Sequence, residues 1–319
     1  MVNETQNTKQ KILALLVKAG SATLSGVRIS EETGISRVAV WKHIKALKSE
    51  GIPIVSTPKG YTIESADDLM LPDYFRDDLR DRIFYYPEVE TTMDTAKTLA
   101  REGAPHMSCC IAEHQSRGRG RMNREWVSDA GGLWFTLILK PDIPPPMAYV
   151  FNFAAGLSLS RVIRRTLGLD ASVKWPNDLL LEGKKLVGLL SEMETRGDMI
   201  RHLLIGIGVN VNNDPTNDTF EATSLKNVLG KSVSRRELLT DFIDDFTART
   251  QNLTAPNAIP ELITRWKTCT STIGSHVRVE TLNDTITGIA RDVDDSGTLI
   301  VETETGRIKP VIYGDCFHT

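Results

Sequence analysis

Short apolar segments joined by tight links make up the middle of the chain, and they constrain its fold more than any other feature. They alternate with amphipathic helical patterns from Ile83 to about Pro260. The link Glu182-Gly183 suits a hairpin, which favours an antiparallel or mixed sheet over a doubly wound parallel one. The predicted class is therefore α+β. The predicted strands are 109–113, 133–140, 172–174, 179–181, 187–194 and 202–211, and the predicted helices are 94–102, 148–167 and 234–252.

Composition excludes several classes of protein. The chain has 319 residues, 40% hydrophobic and 25% charged, which excludes disorder and collagen-like repeats and allows two or three domains. It has no run of about 18 apolar residues and no apolar signal segment, so we expect a cytoplasmic protein without membrane contact. The cysteines show no CxxC spacing, so we expect no metal site and no disulfide, only small buried side chains. These cysteines are Cys109, Cys110, Cys269 and Cys316.

The first 64 residues carry nine Lys/Arg against five Asp/Glu, whereas the remainder is acidic. Three helical patterns in this basic segment end at Gly20, at Gly34 and at Glu50, which is typical of a helix-turn-helix. Residues 52–63 then predict two short strands about a turn that carries Lys59, as in the wing of a winged helix. We therefore predict DNA binding; the alternative is a solvated basic helix in a protein-interaction module.

The third helical pattern has two faces. Val40, Ile44 and Leu47 recur at helical spacing and are predicted to pack inward. The opposite face is basic and can enter a major groove; it carries Arg37, Trp41, Lys45 and Lys48. The predicted DNA-binding residues are Ser36, Arg37, Trp41, Lys42, Lys45 and Lys59.

An arginine- and glycine-rich stretch, residues 115–126, follows the strand predicted at 109–113. It lacks the Gly-Lys-Ser/Thr ending of a P-loop. Glycine lets backbone amides approach an anion, and arginine supplies planar positive donors for phosphate or carboxylate. We expect the loop to become ordered when an anionic ligand binds. The alternative is a solvated basic loop or a second nucleic-acid patch.

Three further motifs accompany this loop. Lys174-Trp175-Pro176-Asn177-Asp178 ends a predicted strand and suits a nucleotide or an amide-bearing ligand. Lys184-Lys185-Leu186-Val187-Gly188 places a lysine beside a glycine that leaves room against the sheet, although such a lysine pair is commonly a solvated turn. Gly206-Ile207-Gly208-Val209-Asn210 is too short for a dinucleotide fingerprint and predicts a flat wall for a ring system.

With Thr91-Thr92-Met93, these motifs resemble those of the biotin protein ligases in order and spacing. The whole chain resembles the bifunctional biotin protein ligase and biotin operon repressor, of the biotin–[acetyl-CoA-carboxylase] ligase family. The resemblance implies a winged helix-turn-helix at 1–64, a linker at 65–82, a class II synthetase-like catalytic domain with a mixed sheet at 83–270 and a small SH3-like β-barrel at 271–319.

The resemblance also implies a reaction in two steps. ATP, with Mg²⁺, activates biotin to biotinyl-5′-AMP, and a lysine of a biotin carboxyl carrier protein then accepts the biotinyl group. Operator DNA and a second copy of the chain, in a homodimer, are the other implied partners. Such chemistry depends on charge stabilisation and positioning more than on a nucleophile of the enzyme.

The roles carried over by motif are as follows. Lys185 and Arg121 are the catalytic residues. The predicted biotin-binding residues are Thr91, Thr92, Gln115, Gly118, Arg119, Gly120, Arg121, Lys185, Gly206 and Gly208. The predicted ATP- or adenylate-binding residues are Arg119, Arg121, Trp126, Lys174, Asn177, Lys185 and Asn210.

The chain departs from the family pattern at two places. Met93 stands where the family has asparagine, so a hydrogen bond from this position is lost. The chain stops at Phe317-His318-Thr319 without the arginine that contacts the nucleotide in many relatives. Two other functions stay open: a ligand-sensing repressor without ligase activity, and a lipoate ligase or octanoyl transferase. The transferase would need a cysteine nucleophile, which the apolar setting of Cys109-Cys110 disfavours.

Overall fold

The chain forms two compact units, residues Met1–Leu69 and Met70–Thr319. The structure is a computed structural model and describes residues 4–20, 22–49, 52–63, 68–215 and 221–319. The predicted helix end at Glu50 and residues 65–67 of the predicted linker lie outside these ranges. Within them, no helix combines the length and the apolar character that crossing a membrane requires.

The smaller unit is a helix-turn-helix followed by a hairpin, as predicted. Its elements are α1 (Glu4–Ala19), α2 (Gly26–Thr33), α3 (Arg37–Ser49), β1 (Ile54–Thr57) and β2 (Gly60–Ile63). Helix α2 begins where the Ser25 hydroxyl accepts a hydrogen bond from the Arg28 amide, and it ends at Gly34 in the left-handed conformation. The inward face predicted for α3 is correct, because Val40, Ile44 and Leu47 are buried.

The larger unit is built on a seven-stranded mixed sheet, which confirms the α+β class. The order is β3-β4-β5-β9-β8-β7-β6, and β3 and β4 form its parallel pair. The strands are β3 (Ile83–Val89), β4 (Ser108–Gln115), β5 (Leu133–Leu139), β6 (Ser172–Lys174), β7 (Asp178–Leu181), β8 (Lys184–Arg196) and β9 (Met199–Val209). Strand β3 was not predicted from the sequence.

Helices cover both faces of this sheet. The helices of the large unit are α4 (Asp77–Arg80), α5 (Thr92–Arg101), α6 (Tyr149–Leu167), α7 (Leu225–Leu229), α8 (Arg235–Thr250) and α9 (Ala258–Lys267). On one face Phe135 of β5 packs edge-on against Phe242 of α8, with ring centroids 5.6 Å apart. On the other face Ala96 of α5 packs in a cluster with Ile138 of β5. All seven residues of β5 are buried, as expected of a strand covered on both sides.

The last residues form a five-stranded antiparallel sheet in the order β13-β12-β11-β10-β14. Its strands are β10 (His276–Glu280), β11 (Thr285–Val293), β12 (Leu299–Thr303), β13 (Ile308–Val311) and β14 (Asp315–His318). This sheet shares one apolar core with the seven-stranded sheet. The Trp175 indole N–H donates to the Gly297 carbonyl at 3.0 Å across their boundary.

The segment predicted as a linker, residues 65–82, belongs to the large unit from Met70 onward. Met70, Phe75 and Leu79 are buried in that unit's core, while acidic neighbours such as Asp77 stay exposed. The acidic composition therefore describes the outer face of a packed segment. The four cysteines are buried and free, as expected.

Candidate active site

A cavity of about 660 Å³ opens between strands β8 and β9, the loop 116–127 and the last strand, β14. Twelve residues predicted from the motifs line it, although they come from distant parts of the chain. They are Thr91, Thr92, Gln115, Arg119, Gly120, Arg121, Trp126, Lys174, Asn177, Lys185, Gly206 and Gly208.

Two other predicted residues, Gly118 and Asn210, do not line the cavity. A Cβ on Gly118 would overlap the Trp126 carbonyl, so this glycine lets the loop fold back on itself. Asn210 is 3% exposed, and its side-chain carbonyl oxygen accepts a hydrogen bond from the side-chain amide of Asn213 at 3.0 Å. Both residues shape the site from behind its surface.

One end of the cavity carries uncharged polar groups at the start of α5. Thr91 caps this helix, since its hydroxyl accepts from the amides of Met93 (3.0 Å) and Asp94 (3.3 Å). Gln115, at the end of β4, accepts from the Thr92 amide at 2.7 Å and donates to the Ser128 hydroxyl at 2.8 Å. These bonds hold neutral donors and acceptors in fixed positions beside the cavity.

Met93 occupies a close-packed position in this end of the cavity. The residue is 4% exposed. Its sulfur would lie 2.8 Å from a Cβ placed on Gly206, so the thioether fills the space above that glycine. The position that departs from the family pattern is therefore an apolar wall.

The arginine-rich loop is a short hairpin. Its backbone closes where the Gly120 amide donates to the Arg124 carbonyl (2.7 Å) and the Trp126 amide donates to the Gly118 carbonyl (2.8 Å). Met122, at its tip, has a left-handed φ of 55°. The hairpin brings several cationic side chains to one wall of the cavity.

Carboxylates and an amide hold these arginines. The Arg119 guanidinium lies 2.8 Å from Asp94 and 3.2 Å from Glu192, and its Nε is buried without a hydrogen-bond partner in the described residues. Arg121 donates to the Asn177 side-chain carbonyl at 3.2 Å. The charge of Arg119 is therefore balanced by two carboxylates, whereas an uncharged amide holds Arg121.

A pair of glycines forms a flat floor in the middle of the cavity. Gly188 of β8 lies directly across from Gly208 of β9. A Cβ on either residue would lie within 2.8 Å of the Trp126 indole, so this ring rests on the pair. The Lys185 ammonium lies 5.3 Å from the centre of the same ring. The two glycines therefore form a flat surface that the protein's own indole ring covers.

The other end of the cavity is charged. Lys185 pairs with Asp178 at 2.9 Å, and their side chains are only 21% and 17% exposed. Lys174 lines the same end. At this partly buried depth a cation interacts more strongly with an anion than it would in water.

The tail lines this charged end although it has no arginine. Cys316, Phe317 and His318 of β14 all face the cavity. Burial, reinforced by Lys174, lowers the pKa of His318 to about 4, and burial raises the pKa of Cys316 to about 11. Both groups are therefore uncharged at neutral pH.

Two of the cavity-lining residues that were not predicted from the sequence form an ion pair. Arg124 of the loop pairs with Asp315 of β14 at 2.5 Å. Asp315 lies far in the sequence from every motif, so its neighbours gave no reason to predict it as a site residue. Arg124 lies inside the recognised arginine run, where its charge was visible but its partner was not.

The residues predicted to contact DNA lie on the surface of the smaller unit. The Ser36 hydroxyl accepts from the Ala39 amide at 3.2 Å and caps α3, and the Lys45 ammonium lies 5.6 Å from the Trp41 ring centre. The exposed members are Ser36, Arg37, Trp41, Lys42, Lys45 and Lys59.

The chain is similar to known proteins over nearly all of its length. Residues 85–210 match the biotin/lipoate A/B protein ligase family, residues 8–62 an HTH domain and residues 272–319 the biotin protein ligase C-terminal domain. The bifunctional ligase/repressor BirA of Bacillus subtilis is 34% identical over 96% of this chain and 97% of its own. The biotin–[acetyl-CoA-carboxylase] ligase of Mycobacterium tuberculosis is 32% identical over 65% of this chain and 77% of its own. The structure of the Aquifex aeolicus biotin protein ligase in complex with biotin and ATP superposes with a TM-score of 0.65 at 25% identity, covering 75% of this chain and 99% of that chain.

Proposed function

The chain belongs to the biotin/lipoate A/B protein ligase family, and from this membership we propose that it is a biotin protein ligase that also represses transcription. In the first step a biotin carboxylate oxygen attacks the α-phosphorus of ATP, and pyrophosphate leaves. In the second step the amine of a carrier-protein lysine attacks the acyl carbon of biotinyl-5′-AMP, and AMP leaves.

The observation that carries this proposal is one cavity that combines fixed neutral donors and acceptors, a flat floor and cationic side chains. Biotinyl-AMP combines groups that each of these regions would accept: an uncharged ureido ring, an apolar chain, a phosphate and a planar adenine. Thr91, Thr92 and Gln115 would bind the ureido group. Gly206 and Gly208 would wall the biotin rings together with the side chains that rest on them, Met93 and Trp126.

The cationic groups would stabilise the charge that develops at phosphorus. Lys185 would bind the biotin carboxylate first and the adenylate phosphate afterwards, exchanging its pairing with Asp178 for the ligand. Arg119 and Arg121 would clamp the phosphate from the loop, with Arg119 exchanging its pairing with Asp94 and Glu192 for the ligand. Fixed cations in a partly buried site supply this stabilisation without the solvent reorganisation that water requires.

Four residues would serve the nucleotide. Trp126 offers a ring face to adenine, and Lys174 adds charge near the phosphates. Asn177 would hold Arg121 through the hydrogen bond already described. Asn210 would act from behind the cavity surface, by fixing the end of β9.

We propose that ATP enters as its magnesium complex. No group of three or more metal-ligating side chains occurs among the described residues. Mg²⁺ is commonly held by substrate phosphates and one or two carboxylates. Asp178, which lines the cavity and whose Oδ1 lies 2.9 Å from the Lys185 ammonium, would be one such carboxylate.

The partner proteins follow from the chemistry. A biotin carboxyl carrier protein would supply the acceptor lysine. The enzyme would act in the cytoplasm, where its four free cysteines would remain reduced.

Operator DNA would bind the basic face of α3 and Lys59 of the wing, in a homodimer that presents two heads to one palindromic site. Biotinyl-AMP would favour this dimer by contacting the arginine loop and residues 212–219, of which 216–219 lie outside the described residues. Sedimentation and operator affinity, each measured with and without biotinyl-AMP, test this coupling. Equal affinities and an unchanged mass would overturn it.

A lipoate or octanoyl transferase is less consistent with the cavity. Cys316 is the cysteine that lines it, and burial keeps this thiol protonated at neutral pH. Burial also raises the pKa of Cys109 well above the usual range and that of Cys110 to about 12.

Biotin-dependent exchange of pyrophosphate into ATP tests the ligase function. We expect exchange with biotin and none with lipoate or octanoate. Absence of exchange together with ligand-dependent DNA binding would instead identify a ligand-sensing repressor.

A further inference from the structure

Two bulky apolar side chains stand exposed on the helix that we propose for DNA binding. Val38 is 65% exposed and Trp41 is 54% exposed. Isolated apolar side chains are common on protein surfaces. These two are neighbours one helical turn apart, on a face that is otherwise basic, with Arg37, Lys42 and Lys45 around them.

The buried side of α3 fixes which way Val38 points. At about 100° per residue, Val40, Ile44 and Leu47 occupy one side of the helix, and Val38 lies close to the opposite pole. Lys42 and Lys45 lie on either side of that pole. A groove that receives this face must therefore meet Val38 between two cations.

The contact between Lys45 and Trp41 orients the second apolar group. The Lys45 ammonium lies 5.6 Å from the Trp41 ring centre, within reach of a cation–π interaction. Lys45 lies one turn beyond Trp41, toward the C-terminus of the helix, and Val38 lies one turn before it. Along the helix, Trp41 therefore lies between a cation and Val38.

Resting on the DNA binding proposed above, we propose that Val38 and Trp41 form an apolar contact surface for thymine C5-methyl groups in the major groove. Thymine is the one standard DNA base that presents a methyl group there. The surrounding cations match the phosphate backbone, which gives affinity but little sequence information. The two apolar residues would thus contribute sequence specificity.

The test begins with duplexes selected from a random pool by the full-length protein in the presence of biotin and ATP. In the tightest duplex, each thymine is replaced in turn by uracil, which removes only the methyl group. At one or two positions uracil should weaken binding by the parent protein about fourfold, the value expected for one buried methyl-sized group. Val38→Ala should bind the thymine and uracil forms of those duplexes almost equally. Alanine favours helix, so α3 remains formed.

Val27→Ala is the matched control, because Val27 is 44% exposed on α2 and outside the proposed surface. It should keep the parent's sensitivity to uracil. Tight binding that is indifferent to uracil at every position would overturn the inference and leave DNA binding intact. The inference would also be overturned if uracil weakened binding by Val38→Ala as much as binding by the parent. A change in self-association as the sole effect of Val38→Ala would overturn it too. Failure to select any duplex would overturn DNA binding itself.

Discussion

Arg124 of the arginine loop and Asp315 of the last strand form an ion pair, with Nη2 and Oδ2 2.5 Å apart. The Asp315 side chain is 10% exposed, whereas that of Arg124 is 54% exposed. A residue near the end of the chain thus fixes one side of the loop that lines the cavity.

Arg124→Ala should lower the free energy of unfolding by about 1–3 kcal/mol, because it leaves a largely buried carboxylate without its partner. Adding Asp315→Asn should restore part of this loss, since an amide tolerates burial better than a carboxylate. Urea unfolding of the single and double variants measures the coupling. Lys309→Ala, which breaks a more exposed pair with Asp284, should cost under about 1 kcal/mol. Strictly additive effects of Arg124→Ala and Asp315→Asn would contradict the pairing.

Arg121→Gly should weaken retention of biotinyl-AMP more than binding of biotin, since biotin lacks the phosphate that Arg121 is proposed to clamp. Released adenylate should then label lysines of unrelated proteins. Arg117→Gly is the matched control, because it makes the same change in the same loop at a side chain that is 78% exposed. Dissociation of the adenylate measures the difference, and equal retention in both variants would remove Arg121 from the clamp.

The buried His318 should make stability depend on pH. Its pKa is lowered from 6.5 to about 4, so between these values the unfolded chain binds a proton that the folded chain does not. Stability should therefore fall as pH drops from 6.5 toward 4, by up to about 1.4 kcal/mol per pH unit from this group.

His318→Gln should reduce this slope in denaturant unfolding measured across that range. His276→Gln is the control, because it removes an exposed histidine and leaves the buried His318 in place. Identical slopes in the parent and His318→Gln would show that His318 does not titrate as described.

Cys316→Ser should leave biotin transfer to the carrier close to the parent rate, because the proposed chemistry passes no acyl group through a thiol. Steady-state transfer to a carrier domain measures it. Loss of transfer with intact pyrophosphate exchange would instead indicate an acyl-cysteine intermediate and favour the transferase.

The sequence predicted the helix-turn-helix, the mixed sheet and twelve of the cavity-lining residues because these features leave local traces. Spacing shows helices and strands, and the runs around Arg121 and Lys185 combine residue types that anion binding requires. Strand β3 left a weaker trace, since Ile83–Val89 mixes apolar and polar residues and is only partly buried.

Contacts between residues that are far apart in the sequence could not be predicted. The position of the Trp126 ring depends on the strand register that places Gly188 opposite Gly208. The packing of Met70 and Phe75 likewise depends on a core that residues 65–82 alone do not reveal. Such contacts are set by tertiary packing, which residue type and spacing do not encode.

Lys185 has the central role in the proposed reaction, and the adjacent Lys184 provides a matched control. Lys184 is 48% exposed and does not line the cavity, whereas Lys185 lines it and pairs with Asp178. The decisive measurement is biotin-dependent ATP–pyrophosphate exchange by Lys185→Ala and Lys184→Ala, with unfolding curves to verify both folds. We expect a loss of about 100-fold or more for Lys185→Ala and near-parent activity for Lys184→Ala. Unchanged exchange by a folded Lys185→Ala would contradict this role.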